Sequence, residues 1–315
     1  MPRRRNPSPV PPAPRLSVAV CAHNEARTIT QTVESLLEQT VWPESVEIIL
    51  VDNGSTDGTL AVMGRVRNLD PARIRVVREQ TLGLSHARNR ALEEARGEMT
   101  AFIDADAVAD PAWITSLLVA FDVDETIAAI GGPVEIRWDH PRPAWWDERL
   151  AEALNAWRPA DEAGALSYPR YPYGTNFTVR TEVARSAGGF ATSLGRRGRG
   201  LLAGEEGELC LRMERAGHSI HYTPDAVVHH RTAASRLRRR YILRRALQHG
   251  RSQRLLETMH GLESGRYLSW PAIAARLCGR GLRFDWDLPF LKFILFRIGY
   301  QYQRSIGGLP GRSAT

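Results

Sequence analysis

The sequence lacks the features that mark several large protein classes. No stretch of about 18 uninterrupted apolar residues occurs, which argues against a transmembrane helix. The three cysteines, Cys21, Cys210 and Cys278, have no metal-type spacing, so we expect reduced core residues. Lys292 is the only lysine, so the net charge of +7 rests on arginine. That charge suits anionic partners such as nucleotide phosphates.

Two glycine-rich nucleotide-binding motifs are also absent. The sequence has neither Gly-x-Gly-x-x-Gly nor Gly-x4-Gly-Lys-Ser/Thr, which argues against dinucleotide-binding and P-loop folds. If phosphates bind, a cation must replace the glycine cradle and the P-loop lysine. No recognisable nucleic-acid-reading motif accompanies the arginines, so we expect no nucleic-acid partner. Residues 1–14 are basic and proline-rich without the apolar core of a secretory signal, which predicts a disordered tail.

The first half of the chain alternates strand-like and helix-like segments. Apolar runs of strand length occupy residues 16–22, 46–51, 74–77 and 100–104, and helical patterns separate them. This rhythm predicts parallel βαβ units and therefore an α/β sheet. The polar ends of the first, second and fourth strands should meet at one edge of that sheet, in an arrangement that suits a nucleotide.

Two aspartates, Asp104 and Asp106, stand at the end of the fourth apolar run. Where the chain leaves a sheet, both carboxylates can converge on one oxygen-liganded cation and on the phosphates that it neutralises. A solvated acidic loop would give the same short motif, so the motif alone does not decide between these interpretations.

The second half contains an acidic helix start and a histidine pair. Glu205, Glu206 and Glu208 open a predicted helix, where the helix dipole alone favours acidic residues, so capping is one interpretation. His229 and His230 are neighbours in a strand-like run. Because successive strand residues face opposite sides, at most one of them should meet a metal.

The C-terminal part is basic and helical in pattern. Residues 236–257 predict a long helix whose arginine face is either solvated or attracted to anionic lipid or a diphosphate. Residues 289–302 are apolar but too short to span a bilayer, so they either lie in a membrane interface or dock on the core or a partner. We expect a cytoplasmic protein, with peripheral contact to the inner face of the membrane through these helices as an alternative.

Seven segments occur in the order found in one enzyme family: 17–25, 51–59, 83–91, 102–111, 174–190, 204–217 and 224–230. Together they resemble the inverting glycosyltransferases of family 2, which have the GT-A fold. The resemblance covers residues 15–235 and implies a Rossmann-like, mostly parallel sheet flanked by helices. It also implies a nucleotide-binding half at 15–125, an acceptor-binding half at 126–235 and a basic helical extension at 236–315.

The resemblance implies a site for a nucleoside-diphosphate sugar, with a UDP-sugar favoured, and for Mn²⁺ or Mg²⁺. The positions that would contact the nucleotide or its phosphates are Ala22, Glu25, Asp52, Arg88, Asp104 and Asp106. The implied metal ligands are Asp104, Asp106 and His230. His229 is the competing histidine.

Inverting transfer requires a base on the acceptor hydroxyl and stabilisation of the departing nucleoside diphosphate. The family places an acidic pair, usually Glu-Asp, at the start of a helix, and this chain has Glu205-Glu206 there. We assign the base to Glu206, with Glu205 or Glu208 as the alternatives.

The acceptor-binding half predicts aromatic and polar contacts to a sugar: Trp145, Trp146, Tyr173, Thr175 and Asn176. A tryptophan cluster is equally typical of a core. The acceptor would be a saccharide, a lipid-linked sugar or a small molecule. A catalytically silent nucleotide-sugar-binding or scaffold protein on the same fold is the alternative function.

Overall fold

The computed structural model describes residues 14–40, 46–198, 200–262 and 287–306. The predicted tail at 1–14 lies outside these ranges except for Pro14, and Cys278 also lies outside them. No helix within the described ranges combines the length and the apolar character needed to cross a bilayer.

The described chain alternates strands and helices along most of its length. The strands are β1 (Leu16–Ala22), β2 (Val46–Asp52), β3 (Ile74–Arg78), β4 (Met99–Asp104), β5 (Ala107–Ala109), β6 (Ile127–Gly131), β7 (Val134–Arg137), β8 (Gly164–Leu166), β9 (Asn176–Arg180), β10 (Ser219–Tyr222) and β11 (Val228–Arg231). The helices are α1 (Ile29–Leu37), α2 (Thr59–Arg67), α3 (Leu84–Glu94), α4 (Trp113–Phe121), α5 (Thr181–Ser186), α6 (Glu205–Arg215), α7 (Arg239–Met259) and α8 (Leu288–Ile306). A 3₁₀ helix occupies Glu148–Leu154.

The main sheet of the described residues has eight strands in the order β3-β2-β1-β4-β9-β6-β10-β8. Strand β1 runs parallel to β2 and β4, β2 runs parallel to β3, and β6 runs parallel to β10. Strand β9 is antiparallel to both neighbours, β4 and β6. The predicted mostly parallel α/β sheet is confirmed, and the antiparallel β9 joins the two halves of the chain in one sheet.

Helices cover both faces of the sheet, so its central strands are apolar on both sides. Along β1, Val18 and Val20 pack into the layer that contains α1, α2 and α4, whereas Ala19 packs into the layer that contains α3, α5 and α6. This alternation follows from the twofold period of a strand. The same strand therefore anchors both layers and ends at the edge where the polar residues lie.

A second, three-stranded sheet, with strand order β5-β11-β7, lies beside that edge. Ala107 of β5 pairs with His230 of β11, and the backbone N–H of Arg231 donates to the carbonyl of Asp106 at 3.0 Å. This pairing holds Asp106, at the end of the first half, against a strand that is more than a hundred residues further along the chain.

Helices α7 and α8 cross in backbone contact at two glycines. A Cβ atom at Gly250 would lie 1.9 Å from the carbonyl oxygen of Phe296, and one at Gly299 would lie 1.9 Å from that of Leu247. The apolar segment predicted at 289–302 is therefore a helix docked on α7. Helix α7 itself begins at Arg239, so Arg236 precedes it.

Gly250→Ala should destabilise the fold, because the added methyl group cannot fit unless α8 moves away. We expect a loss of about 1–3 kcal/mol in the free energy of unfolding, measured by urea denaturation. Gly64→Ala in α2 is the matched control, because nothing lies within 4 Å of its added methyl group. Replacing a helical glycine there should stabilise by about 0.5–1 kcal/mol. The same sign of effect at both positions would contradict the α7–α8 contact.

Candidate active site

A cavity of about 350 Å³ opens at the carboxyl ends of β1 and β4. Both halves of the chain line it. The first half contributes strand ends and the start of α3, and the second half contributes the loop before β9, the start of α6 and the inner faces of α7 and α8. A crevice at the carboxyl ends of parallel strands is the usual ligand site of an open α/β sheet.

Arg88 of α3 links three carboxylates inside this cavity. Its Nη1 donates to Oε1 of Glu205 at 2.7 Å and to Oε1 of Glu206 at 2.8 Å. Its Nη2 lies 3.6 Å from Oδ1 of Asp104. Burial lowers the pKa of Arg88, but the charges of Glu206, Glu205 and Asp104 outweigh burial and raise it. The guanidinium is therefore a fixed positive centre between the two halves.

The two glutamates differ in their surroundings. Glu205 is 2% exposed, and its Oε2 has no hydrogen-bond partner among the described residues. Burial, followed by the charge of Glu206, raises the pKa of Glu205 to about 7. Glu206 is 14% exposed, and its Oε1 also accepts a hydrogen bond from the backbone N–H of Gly174 at 2.9 Å. Both glutamates line the cavity, and Glu206 is the more exposed of the two and is held by two donors.

Asp104, Asp106 and His230 form a cluster in which one ligand atom from each residue lies within 4.8 Å of the others. Nδ1 of His230 donates to the carbonyl of Leu154 at 3.1 Å, which leaves the Nε2 lone pair on the side of Asp106. Backbone carbonyls commonly orient metal-binding histidines in this way. Carboxylate oxygens and one imidazole nitrogen suit Mn²⁺. The donor set and its orientation therefore fit a divalent cation.

The neighbouring histidine faces elsewhere. Nδ1 of His229 lies 3.7 Å from Glu135, and the side chain is 37% exposed, whereas His230 is 1% exposed. The opposite orientation of the two side chains is the one expected of adjacent strand residues.

Arg236 contacts the same cluster. Its Nη2 lies 3.0 Å from Oδ2 of Asp106, and its Nη1 donates to Nε2 of His230 at 2.9 Å. Burial raises the pKa of Asp106, but His230 and Arg236 outweigh burial and hold it well below its usual range. Sequence reasoning placed Arg236 on the basic face of a helix and missed this role. Its position six residues after His230, close to the end of β11, was the available signal.

Comparison with known sequences supports the resemblance. Residues 17–187 match the family model described as Glycosyl transferase family 2, which is more than half of the chain. The chain belongs to glycosyl transferase family 2.

Relatives of this family 2 chain cover most of its length. A glucosyl-dolichyl phosphate glucuronosyltransferase of Haloferax volcanii is 27% identical over 252 residues, which cover 78% of each chain. Succinoglycan biosynthesis protein ExoM of Rhizobium meliloti is 28% identical over 276 residues, which cover 84% of each chain. The mannosyltransferase PcManGT of Pyrobaculum calidifontis, solved with GDP-Man and Mn²⁺, has a TM-score of 0.65 and 19% identity, over 98% of this chain and 92% of that chain. The predicted GT-A type fold is confirmed.

The remaining positions predicted to contact the nucleotide lie around β1 and β2. Ala22 and Glu25 line the cavity. Burial, followed by the charge of Asp106, raises the pKa of Glu25 to about 7. Asp52 is 3% exposed at the end of β2, behind the cavity lining, and its Oδ1 has no hydrogen-bond partner in the part of the chain that the structure describes.

The predicted acceptor residues separate into two groups. Tyr173 and Thr175 line the cavity, and Oγ1 of Thr175 donates to Oδ2 of Asp104 at 2.6 Å. Asn176 is fully buried, and its side-chain amide bonds to Trp113 and to two backbone carbonyls, so it holds the start of β9 in place. Tyr173 and Thr175 thus remain the cavity-facing candidates of this loop.

The two tryptophans predicted to bind the acceptor, Trp145 and Trp146, pack outside the cavity lining. They contact an apolar cluster built on the 3₁₀ helix and α7, with Leu150, Leu154 and Ile242 at its centre. In this structure they support the segment that carries Leu154, the residue whose carbonyl orients His230.

Glu205→Gln should change how stability depends on pH. The pKa of Glu205 is about 7 in the folded chain against an ordinary value of 4.5. Between these two pH values, the folded state keeps a proton that the unfolded state has lost. The resulting stabilisation is fully present below the lower value and is lost as the pH rises through the higher one. Urea unfolding at pH 5 and pH 8 should show a smaller fall in Glu205→Gln than in the wild type or in the exposed control Glu93→Gln. Equal falls in all three proteins would contradict the buried, protonated Glu205.

Arg236→Gln should strengthen Mn²⁺ binding when no nucleotide is present. Asp106 and His230 cannot give the same lone pairs to a guanidinium and to a cation, and Arg236 also repels the cation. We expect a gain of about fivefold to tenfold in affinity, measured from the electron paramagnetic resonance signal of free Mn²⁺. The exposed Arg240→Gln should behave as the wild type does, and Asp106→Asn should weaken binding. Unchanged affinity in Arg236→Gln would show that Arg236 does not compete.

Proposed function

We propose that the chain moves a sugar from a nucleoside-diphosphate sugar to an acceptor hydroxyl, with inversion at the anomeric carbon and with the help of a divalent cation. One observation carries this proposal. Arg88 contacts Glu206, a carboxylate that faces the cavity, and also lies 3.6 Å from Asp104 of the metal-type cluster. The proposed base and the proposed cation site therefore share one cavity, and the side chain of Arg88 lies between them.

Glu206 is the base of this proposal. It accepts the proton of the acceptor hydroxyl while the acceptor oxygen bonds to the anomeric carbon and the bond to the diphosphate breaks. Arg88 and the Gly174 N–H keep its carboxylate in one orientation before the reaction. General-base catalysis of this kind contributes about 10²–10⁴-fold to the rate. Glu205 is the more buried carboxylate and accepts a hydrogen bond from the same Arg88 guanidinium.

The cation would be held by Asp104, Asp106 and His230. A bound Mn²⁺ or Mg²⁺ supplies Lewis-acid stabilisation of the departing diphosphate. Thr175 fixes the orientation of Asp104 through a 2.6 Å hydrogen bond, and Leu154 fixes the His230 ring. Arg236 adds a positive charge beside the leaving group.

Ala22, Glu25 and Asp52 would bind the nucleotide. Ala22 and Glu25 line the cavity at the end of β1. Asp52 lies behind that lining, so its Oδ1 would accept from a base N–H only if the lining residues move aside. The donor nucleotide stays a prediction, with a UDP-sugar favoured. PcManGT, a structural neighbour, was solved with GDP-Man. Saccharide and lipid-linked acceptors both remain consistent with this site, since one relative acts on glucosyl-dolichyl phosphate according to its name.

The first experiment identifies the donor. Thermal shifts of the full chain with UDP-, GDP- and dTDP-sugars, each with and without Mn²⁺, should show one nucleotide sugar that raises the melting temperature in a Mn²⁺-dependent way, because a ligand of the native state stabilises it by mass action. A silent binding protein would give the same shift, so release of the nucleoside diphosphate from that donor must follow. Binding without release in the presence of candidate acceptors would favour the alternative, a nucleotide-sugar-binding or scaffold protein.

Glu206→Gln should separate binding from catalysis. We expect release of the nucleoside diphosphate to fall by about 10²–10⁴-fold, with the thermal shift by donor and Mn²⁺ retained. Glu208→Gln, on the same helix, tests the competing carboxylate. A Glu206→Gln variant of wild-type activity would refute the assigned base.

A further inference from the structure

Two arginines in the cavity have no acidic partner within the described ranges. Arg196, in the loop before α6, and Arg245, on α7, both line the cavity. Arg245 donates to two neutral oxygens, the carbonyl of Leu201 at 3.0 Å and Oδ1 of Asn155 at 3.2 Å. Among the described residues, neither guanidinium forms a salt bridge, in contrast to Arg88 and Arg236. These two guanidiniums are therefore cations of the described cavity lining that no carboxylate pairs with.

The acidic groups nearby are already engaged. Arg88 holds Glu205 and Glu206. Glu152 accepts a hydrogen bond from the hydroxyl of Tyr173 at 3.0 Å and pairs with Lys292 at 3.3 Å. A partly buried charge without a counter-ion costs free energy, and a site that keeps one is usually matched to a ligand of opposite charge.

The two guanidiniums also act on each other. Burial, followed by the charge of Arg196, lowers the pKa of Arg245. An anion between them would remove this repulsion. Planar guanidiniums with several N–H donors match the oxygens of a phosphate group better than a point charge does. Two neighbouring guanidiniums without a carboxylate partner among the described residues thus favour a phosphate.

The position of Arg245 assigns that phosphate to the acceptor. The charges of Glu205 and Tyr173 act on Arg245. The charges of Arg236 and Arg196 act on Asp106, so Arg196 acts on both groups. In the proposed function, the donor diphosphate lies at the aspartates. Arg245 lies beside the carboxylate pair, between Asn155 and the loop at Leu201, on the side of the cavity that α7 closes.

We infer that Arg196 and Arg245 bind a phosphate group carried by the acceptor, close to the hydroxyl that Glu206 deprotonates. This inference rests on the proposed function and narrows its acceptor to a phosphorylated molecule. The phosphate can belong to a water-soluble sugar phosphate or to a lipid phosphate. Both present the same oxygens to the arginines.

The test uses the full chain saturated with Mn²⁺ and with the nucleoside diphosphate of its donor, so that the donor site is filled. Calorimetry then compares two phosphate probes, glucose 1-phosphate and decyl phosphate, with glucose and decyl glucoside as uncharged counterparts. We expect at least one phosphate probe to bind about tenfold or more tightly than its uncharged counterpart, as charged hydrogen bonds imply. Binding of the sugar phosphate identifies a soluble acceptor, and binding of decyl phosphate alone identifies a lipid-linked one.

Arg245→Gln and Arg196→Gln should each lower the affinity for the phosphate probe about tenfold, with the affinity for Mn²⁺ and nucleoside diphosphate retained. Arg240→Gln, an exposed position on the same helix, should leave phosphate binding unchanged. The retained nucleotide affinity shows that the variants are folded.

Two results would overturn the inference. The first is the absence of phosphate binding by the nucleotide-loaded wild type. The second is an equal loss of nucleotide affinity and phosphate affinity in both arginine variants, which would place the anion on the donor. Because the wild type would still release nucleoside diphosphate from its donor in either case, these failures are distinguishable from failure of the proposed function.

Discussion

The site depends on the buried guanidinium of Arg88. It bonds to Glu205 and Glu206 at the start of α6 and lies 3.6 Å from Asp104 at the end of β4. These groups come from separate parts of the chain, and the carboxylates would repel one another without the arginine. Arg88 and Glu205 are 3% and 2% exposed, so the loss of either one leaves a buried charge without a partner. Such a charge costs about 3–5 kcal/mol. The same contact therefore joins the two halves of the chain and positions the proposed base.

The fold explains why these groups meet. Strand β9 lies antiparallel beside β4, so the loop that precedes it brings Gly174 and Thr175 to the carboxylates. The small sheet of β5, β11 and β7 brings Asp106 and His230 together in the same way. Helix α7, packed against α8 at Gly250, contributes Arg245 to the cavity, and Arg236 lies just before its start. The result is a cleft that holds both carboxylates and arginines, as a reaction between an alcohol and an anionic leaving group requires.

Sequence reasoning succeeded where the signal is local. Apolar runs of strand length and polar residues at their ends predicted the sheet edge and the place of Asp104 and Asp106. It was less successful where packing decides. Glu205 lies 117 residues from Arg88, so no spacing rule predicts their pairing. Asn176 follows a turn in a loop that lines the cavity, yet its amide satisfies buried backbone carbonyls, because a buried polar group without a partner is costly. The predicted helix began at Arg236, whereas α7 begins at Arg239. Arg236 therefore lies in the loop before the helix, where it contacts Asp106.

A double-mutant cycle between Arg88 and Glu205, read as the free energy of unfolding in urea, tests the central claim most directly. If the guanidinium neutralises the buried carboxylate, Arg88→Gln and Glu205→Gln will each lower the free energy of unfolding. The loss in the double variant will then be smaller than the sum of the two single losses by about 2 kcal/mol or more. This coupling free energy should be measured at pH 8, where Glu205 is ionised in the wild type. Additive losses, within about 0.5 kcal/mol, would contradict the account.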